Sequence, residues 1–387
     1  MKVLEINVDS GYGSTGRIAS DIARELEDQG HEVVIAYGRE LVDTGVRTHR
    51  IGSKWDVYTH VLQTRLLDTS GFGSTQATQK FIRWIQEYDP DVIHLHNLHG
   101  YYLNVETLFD YLRTCGKKII WTLHDCWSFT GHCAVFSSVG CQRWREGCFD
   151  CPQKGEYPTS LLRDHSLQNF GRKKKVFTGI PNMILVTPSQ WLADLVKQSF
   201  LREYPVTVIH NGIATDIFRP TPSGLRERYH LNGKKVILGV ASIWSKSKGL
   251  EDFAALSELL STDEQIVLIG LTEQQCGELP EKILGIQRTN SLQELAEWYS
   301  ASDVFFNPTY EDNYPTTNLE AQACGTPCIT YRTGGSVESV PKENVVPQGG
   351  FRQAAQLMRG NLEVLEEDRD KKRMLEKYLD IYVEMVE

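Results

Sequence analysis

Apolar and polar positions along this chain fall into short blocks separated by turn residues. Lys2–Val8 is an apolar run that reads as a strand. A glycine-rich loop follows. Gly16–Gln29 then places Ile18, Ile22, Ala23 and Leu26 at helical spacing, Gly30 stops the helix, and His31–Tyr37 reads as a second strand. A strand–helix–strand unit of this kind predicts a parallel sheet. Further strands are predicted at Val92–Leu95, Ile119–Leu123 and Ile184–Thr187, with helices over Gln76–Tyr88, Val105–Thr114 and Ser189–Phe200. The pattern restarts at Lys235. Strands are predicted at Val236–Ala241, Gln265–Ile269, Val304–Asn307 and Cys328–Tyr331, and helices at Leu250–Leu260, Ser291–Ser300 and Thr317–Cys324. Tyr204–Arg226, with prolines at 220 and 222, reads as the linker between two α/β halves. In the last stretch Met374, Tyr378, Ile381 and Met385 recur every three to four residues, so a final helix has an apolar face that must pack on something.

The length of 387 residues fits two or three domains, and 24% charged with 41% hydrophobic residues is ordinary for a globular chain. A net charge of −9 argues against broad nucleic-acid binding. No apolar stretch reaches the length of a membrane span, and the N-terminus reads as a strand rather than a leader, so a cytoplasmic protein is expected.

Gly11-Tyr-Gly13-Ser14-Thr15-Gly16 has the G-x-G-x-x-G spacing between a strand and a helix. A dinucleotide site also wants an acid at the end of the second strand, where Ala36–Glu40 offers none in place. Three readings remain: a dinucleotide site, a plain tight turn, or a loop whose N–H groups face an anionic ligand. The segment Asn307–Pro327 is the most informative. A strand ends at Asn307, and a polar loop containing Glu311, Asp312, Asn313 and Tyr314 turns into a helix near Thr316. The free N–H groups of Thr316 and Thr317 make an anion site there, with Asp312 before the turn and Glu320 one turn inside.

In this segment the chain resembles glycosyltransferase family 4, which has two glutamates separated by seven residues and followed by alanine, glycine and proline. The resemblance covers nearly the whole chain and implies the GT-B fold: two Rossmann-like, doubly wound parallel-sheet domains facing a central cleft, with the C-terminal helix crossing back to the N-terminal domain. The implied domains are 1-205, carrying a cysteine-rich insertion at 126-152, then 206-366, then a helix over 367-387. Asp312 stands where the family has its first glutamate, which leaves Glu311 as an alternative. Val240–Leu250 resembles the family's phosphate loop. Lys248 fits its lysine. The usual arginine would fall near Ser242 and is missing, so Lys246 is the second cation. Trp121-Thr-Leu-His124-Asp125 resembles the strand-end histidine motif that contacts the donor sugar, and Gly13–Gly16 the loop facing the donor.

The resemblance implies a retaining, metal-independent transferase using a nucleotide-diphosphate sugar, with His124, Asp312 and Lys248 as catalytic residues. Its acceptor is a glycan or a lipid-diphosphate-linked glycan in bacterial surface polysaccharide synthesis. A non-catalytic nucleotide-sugar-binding subunit and a nicotinamide oxidoreductase are the competing classes.

Four other features carry chemistry. Asp89-Pro90-Asp91 spells D-x-D but precedes a buried strand and reads as a turn cap. His94-x-His96-Asn97-x-His99 is either a zinc pattern or a strand end on the acceptor side. Cys133, Cys141, Cys148 and Cys151 offer four thiolates for a structural zinc, with free thiols and disulfides as alternatives. Arg172–Lys175 is a basic run, either a solvated helix end or a peripheral contact with anionic lipid on the membrane's inner face.

Overall fold

A computed structural model describes residues 1–365 and 369–386. The chain divides into two compact units. One is Met1–His210 with the C-terminal stretch from Leu375, and the other is Asn211–Met374.

In the first unit the strands are β1 (Lys2–Asn7), β2 (Glu32–Tyr37), β3 (Thr48–Arg50), β4 (Val92–Leu95), β5 (Lys118–Thr122), β6 (Met183–Thr187) and β7 (Val206–Val208). They form one sheet in the order β3-β2-β1-β4-β5-β6-β7, and every pairing is parallel. The helices are α1 (Gly13–Asp28), α2 (Lys54–Leu67), α3 (Thr75–Tyr88), α4 (Val105–Leu112), α5 (Ser166–Phe177) and α6 (Gln190–Gln198). The central strands are apolar at successive positions: Val3, Leu4, Ile6, Ile93 and Leu95 are fully buried. A parallel sheet covered by helices on both faces requires this, because neither face meets water.

In the second unit the strands are β8 (Lys235–Val240), β9 (Glu264–Ile269), β10 (Ile283–Ile286), β11 (Val304–Asn307), β12 (Cys328–Tyr331) and β13 (Val345–Val346). The order β10-β9-β8-β11-β12-β13 repeats the same reversal beside the first strand, again all parallel. Helices α7 (Leu225–Arg228), α8 (Leu250–Ser257), α9 (Glu273–Gly277), α10 (Leu292–Ser300), α11 (Thr316–Ala323) and α12 (Phe351–Met358) surround it. Its core has two layers. Val236 and Leu238 pack into one, Ile237 into the other, as the period-two geometry of a strand requires.

The expected boundary at 205/206 differs from what is found. β7 lies just beyond it and pairs with β6, so the first unit runs on to His210. The expected boundary at 366/367 lies outside the described residues. α13 (Lys371–Val386) is the predicted final helix, and Met374, Leu375, Tyr378, Ile381 and Tyr382 are buried on it. Tyr382 meets His94 Nδ1 at 2.6 Å and Tyr378 meets Thr122 Oγ1 at 3.2 Å, so this helix packs on the first sheet.

Candidate active site

The polar groups singled out in the sequence gather at the carboxyl ends of the strands in each unit, where doubly wound sheets bind ligands. In the second unit β8 runs into a 3₁₀ turn, Lys246–Lys248, and Gly249 opens α8. Gly249 has φ +74°, and a Cβ there would lie 2.4 Å from the Pro308 carbonyl oxygen. Glycine therefore lets this turn lie against the loop after β11. The Tyr310 N–H donates to the Ser247 carbonyl at 2.8 Å and ties the two loops together. As a result Lys248 Nζ sits 2.7 Å from Asp312 Oδ2. The other Asp312 oxygen accepts the Asn313 N–H at 3.0 Å.

Three residues beyond Asn313, α11 begins at Thr316 with Pro315 before it and no side-chain cap. Its first N–H groups keep their partial positive charge for an incoming anion. Glu320 lies one turn in, and Tyr299 on α10 donates to its Oε2 at 3.0 Å. Glu311 is half-buried in the same loop, and its carbonyl accepts from the Thr309 hydroxyl at 2.9 Å. Tyr314 is buried, and its carbonyl accepts from the Asn211 side chain at 3.2 Å. Ser242 is exposed, and Lys246 is largely solvated, 4.0 Å from Glu251.

In the first unit Ser14 is exposed, Thr15 half-buried and Gly13 exposed, all in the first turn of α1. That helix has neither a side-chain N-cap nor an acid in its first turn, which leaves its N-terminus open to an anion. Gly16 is buried, and a Cβ there would come within 3.3 Å of the Asp9 carbonyl oxygen.

His124 and Asp125 follow β5. His96 Nδ1 and His124 Nε2 are 3.2 Å apart. His96 is 1% exposed, packs against His124 and lines the same small strand-end pocket as Asn97, His99 and Asp125. Desolvation lowers the pKa of His124 to about 4. Asn97 is half-buried; its N–H donates to Asn7 Oδ1 at 3.3 Å and its carbonyl accepts from Tyr102. Asp125 is clamped by His99 Nε2 at 2.7 Å and by the Trp127 N–H at 2.8 Å. Burial acts to raise this carboxyl, but the His99 contacts and the Trp127 N–H hold it below its usual range. The other nitrogen of His99 meets the Tyr157 hydroxyl at 2.9 Å.

Sequence reasoning missed three supports. Tyr299 carried no motif. Tyr157 lies in the insertion-proximal loop. Glu5 is a single acid in an apolar strand, and that isolation was the available signal.

Beneath the strand ends Glu5 is fully buried, and neither carboxylate oxygen has a hydrogen-bond partner. His96 Nε2 is 3.6 Å away. Among the described residues Glu5, His94 and His96 form the one set of three ligand-bearing side chains with donor atoms within 4.8 Å of one another. Both ring nitrogens of His94 are already engaged, by Tyr382 and by Thr122 at 2.8 Å, which suits a hydrogen-bonded polar layer rather than an open metal site. Burial raises Glu5 well above its ordinary value and lowers His94 to about 3.

The four insertion cysteines line one small cavity with Phe136 and Trp144, and all are free thiols. No three of their sulfurs lie within 4.8 Å of one another. A hydrogen bond between Cys133 and Cys151 raises the first thiol and lowers the second. Asp89 pairs with Lys117 at 2.6 Å and Asp91 accepts the Lys2 N–H at 2.7 Å, so both carboxylates bind distant segments of the fold rather than capping their own turn.

The basic run is a correction. Arg172 pairs through two bonds with Glu106, at 2.8 and 2.6 Å, and stacks on Phe72. Lys173 is buried and donates to the Trp127 carbonyl at 2.7 Å. Two of its four cations thus serve the fold and not an external surface.

Two doubly wound parallel-sheet units of this order make the GT-B fold, and solved structures agree. Sucrose-phosphate synthase from Thermosynechococcus elongatus superposes with a TM-score of 0.71 at 15% identity, over 99% of this chain and 98% of that one. Alr3699/HepE from Anabaena, in complex with UDP and glucose, gives 0.68 at 13% identity over 99% of each chain. Glycosyltransferase Family 4 matches residues 15–217, just over half of the chain, and Glycosyl transferases group 1 matches residues 234–363. The chain belongs to glycosyltransferase family 4. It is 25% identical over 365 residues to the putative colanic acid biosynthesis glycosyl transferase WcaC of Escherichia coli K12, covering 88% of this chain and 86% of that one.

Proposed function

We propose that this glycosyltransferase moves a sugar from a nucleotide-diphosphate sugar to a hydroxyl of a glycan or lipid-diphosphate-linked glycan, with retention, in bacterial surface polysaccharide synthesis. The observation that carries the reading is the Lys248–Asp312 pair beside the uncapped start of α11, with Glu320 one turn inside. In the reaction the bond between the sugar's anomeric carbon and the diphosphate oxygen breaks, and a bond from the acceptor oxygen to that carbon forms. The acceptor proton passes to the departing phosphate. Charge accumulates on the diphosphate, so cations fixed beforehand lower the barrier. Lys248, the exposed Lys246 and the N–H groups of Thr316 and Thr317 supply that charge without a divalent metal. Glu320, held by Tyr299, binds the ribose or the donor. Asp312 or Glu311 takes sugar hydroxyls. Asn313 and Tyr314 shape the same loop.

In the first unit we assign the donor's anionic part to the loop Gly13-Ser14-Thr15-Gly16, the sugar to His124, and the acceptor side to Asn97 and Asp125. His124 works as a neutral imidazole, because burial lowers its pKa to about 4. WcaC is named for colanic acid synthesis, which supports a polysaccharide acceptor here. The cytoplasm, where nucleotide sugars are made, fits the donor, and no described helix is long and apolar enough to cross a membrane.

The test is a panel of UDP-, GDP- and dTDP-sugars offered with a lipid-diphosphate-sugar acceptor and read by mass spectrometry. One donor should add one sugar mass to the acceptor with the anomeric configuration kept. Donor binding without transfer across the panel would favour the non-catalytic subunit.

For the insertion we propose a structural zinc held by Cys133, Cys141, Cys148 and Cys151, whose thiols line one cavity and would have to draw together around the metal. Elemental analysis of reduced protein should find about one zinc per chain, as a closed four-thiolate site requires. Metal-free, folded, reduced protein rejects the site.

A further inference from the structure

Helix α2 is built the wrong way round for a soluble surface. The side chains it turns inward include His60 and Thr64, which are buried. On the opposite face it exposes Trp55 (77%), Tyr58 (62%), Leu62 (58%) and Leu66 (38%). At 100° per residue these four fall within one narrow stripe. The stripe does not end with the helix. The Leu161 N–H donates to the Arg65 carbonyl at 2.7 Å, and buried Asp68 accepts the His165 N–H at 2.9 Å. The segment so stapled adds exposed Leu161, Leu162 and Leu167. A contiguous apolar surface of this kind marks an interaction site.

The charge around it identifies the partner. Lys54, Arg65 and Arg163 are exposed beside the stripe. The acids of the same segments are taken up internally. Asp56 accepts the Ser53 hydroxyl at 2.6 Å in a capping box, Asp68 is buried against His132, and Asp164 accepts the Cys151 and Ser166 N–H groups. Free cations, a Trp–Tyr pair and leucines on one helix face are the composition of a helix lying in an anionic bilayer interface.

We infer that the outward face of α2, with Leu161, Leu162 and Leu167, docks on the surface of an anionic membrane. The helix lies along the interface with Trp55 and Tyr58 at the headgroup level, Leu62 and Leu66 below them, and Lys54, Arg65 and Arg163 on lipid phosphates. This role does not depend on which sugar is transferred.

Flotation with vesicles tests it. The full-length protein should float with phosphatidylglycerol–phosphatidylethanolamine vesicles, bind phosphatidylcholine vesicles weakly, and lose part of its binding as salt rises. The double variant Trp55→Ser/Leu62→Ser should reduce the bound fraction roughly tenfold, since the buried apolar area sets such binding. Both side chains face solvent, so its melting curve should match the parent's. Lys54→Glu/Arg65→Glu should abolish the preference for anionic vesicles. Failure of the parent to float at vesicle excess, or equal flotation of the Trp55/Leu62 variant, overturns the proposal. A stable dimer by light scattering that this variant dissociates overturns it in favour of a second copy.

Discussion

At the residue scale two groups carry distinct tests. Lys248 is half-exposed and paired with Asp312, so its removal leaves the fold intact. Lys248→Ala should lower the transfer rate by about a hundred- to a thousandfold, the usual cost of losing one preorganised charge at a developing anion. A near-normal rate in a donor turnover assay would remove Lys248 from the site.

Glu5 concerns stability. Its unfolded carboxyl ionises near 4.5, while burial keeps the folded one protonated to much higher pH. The folded state therefore holds more protons than the unfolded state above that value, and stability is lost as pH rises. Glu5→Gln should raise the melting temperature at pH 8 and change it little at pH 4. A gain equal at both values would show that no titration is involved. The buried histidines act in the opposite sense. His124, with an ordinary value of 6.5 lowered to about 4, contributes stability that is lost as pH falls through that window.

At the element scale the glycine before α8 fixes where Lys248 points. Gly249→Ala combines a left-handed φ with a 2.4 Å approach to Pro308. It should cost roughly 1–3 kcal/mol and weaken nucleotide binding by shifting the turn. Denaturant melts and titration with the nucleoside diphosphate of the donor that transfers read the two effects separately.

Elements whose burial is two-sided were legible in the sequence: Val92–Leu95, Val304–Asn307 and Cys328–Tyr331 have the bounds their apolar runs predict. Edge strands were not. Thr48–Arg50 is polar and half-buried throughout, and Val206–Val208 sits at the rim where solvent relaxes the pattern. α2 escaped because its apolar spacing faces outward, so a periodicity argument would have buried the wrong side. Of the candidate site, the sequence singled out the stretch where a motif fixes backbone chemistry, Asp312–Glu320, and the structure puts Lys248 against it. A support that comes from a distant element, as Tyr299 does for Glu320, was not legible.

At the scale of the whole molecule the chain ends by returning to the sheet with which it began. Tyr382 and Tyr378 give His94 and Thr122 the hydrogen-bond partners that an apolar helix could not, in the buried polar layer that also holds Glu5. Deleting the chain beyond Met374 strips this cover, takes the Tyr382 partner from His94 and opens the buried layer to water. The truncated protein should expose dye-binding apolar surface and aggregate below the parent's melting temperature. Tyr382→Phe should cost about 1 kcal/mol, the net worth of one hydrogen bond. A truncated chain that melts like the parent would deny the helix this role.

The Lys248–Asp312 contact has a consequence for selectivity. Lys248, which we propose for the phosphate, is held by a carboxylate of the neighbouring loop, so an incoming anion must displace Asp312. A neutral sugar or a nucleoside offers nothing in exchange and leaves the latch shut. On the proposed reading a diphosphate would deliver more charge than it displaces, take the lysine and release Asp312 for the sugar hydroxyls that arrive with it, so that donor binding would begin with a substitution rather than a filling.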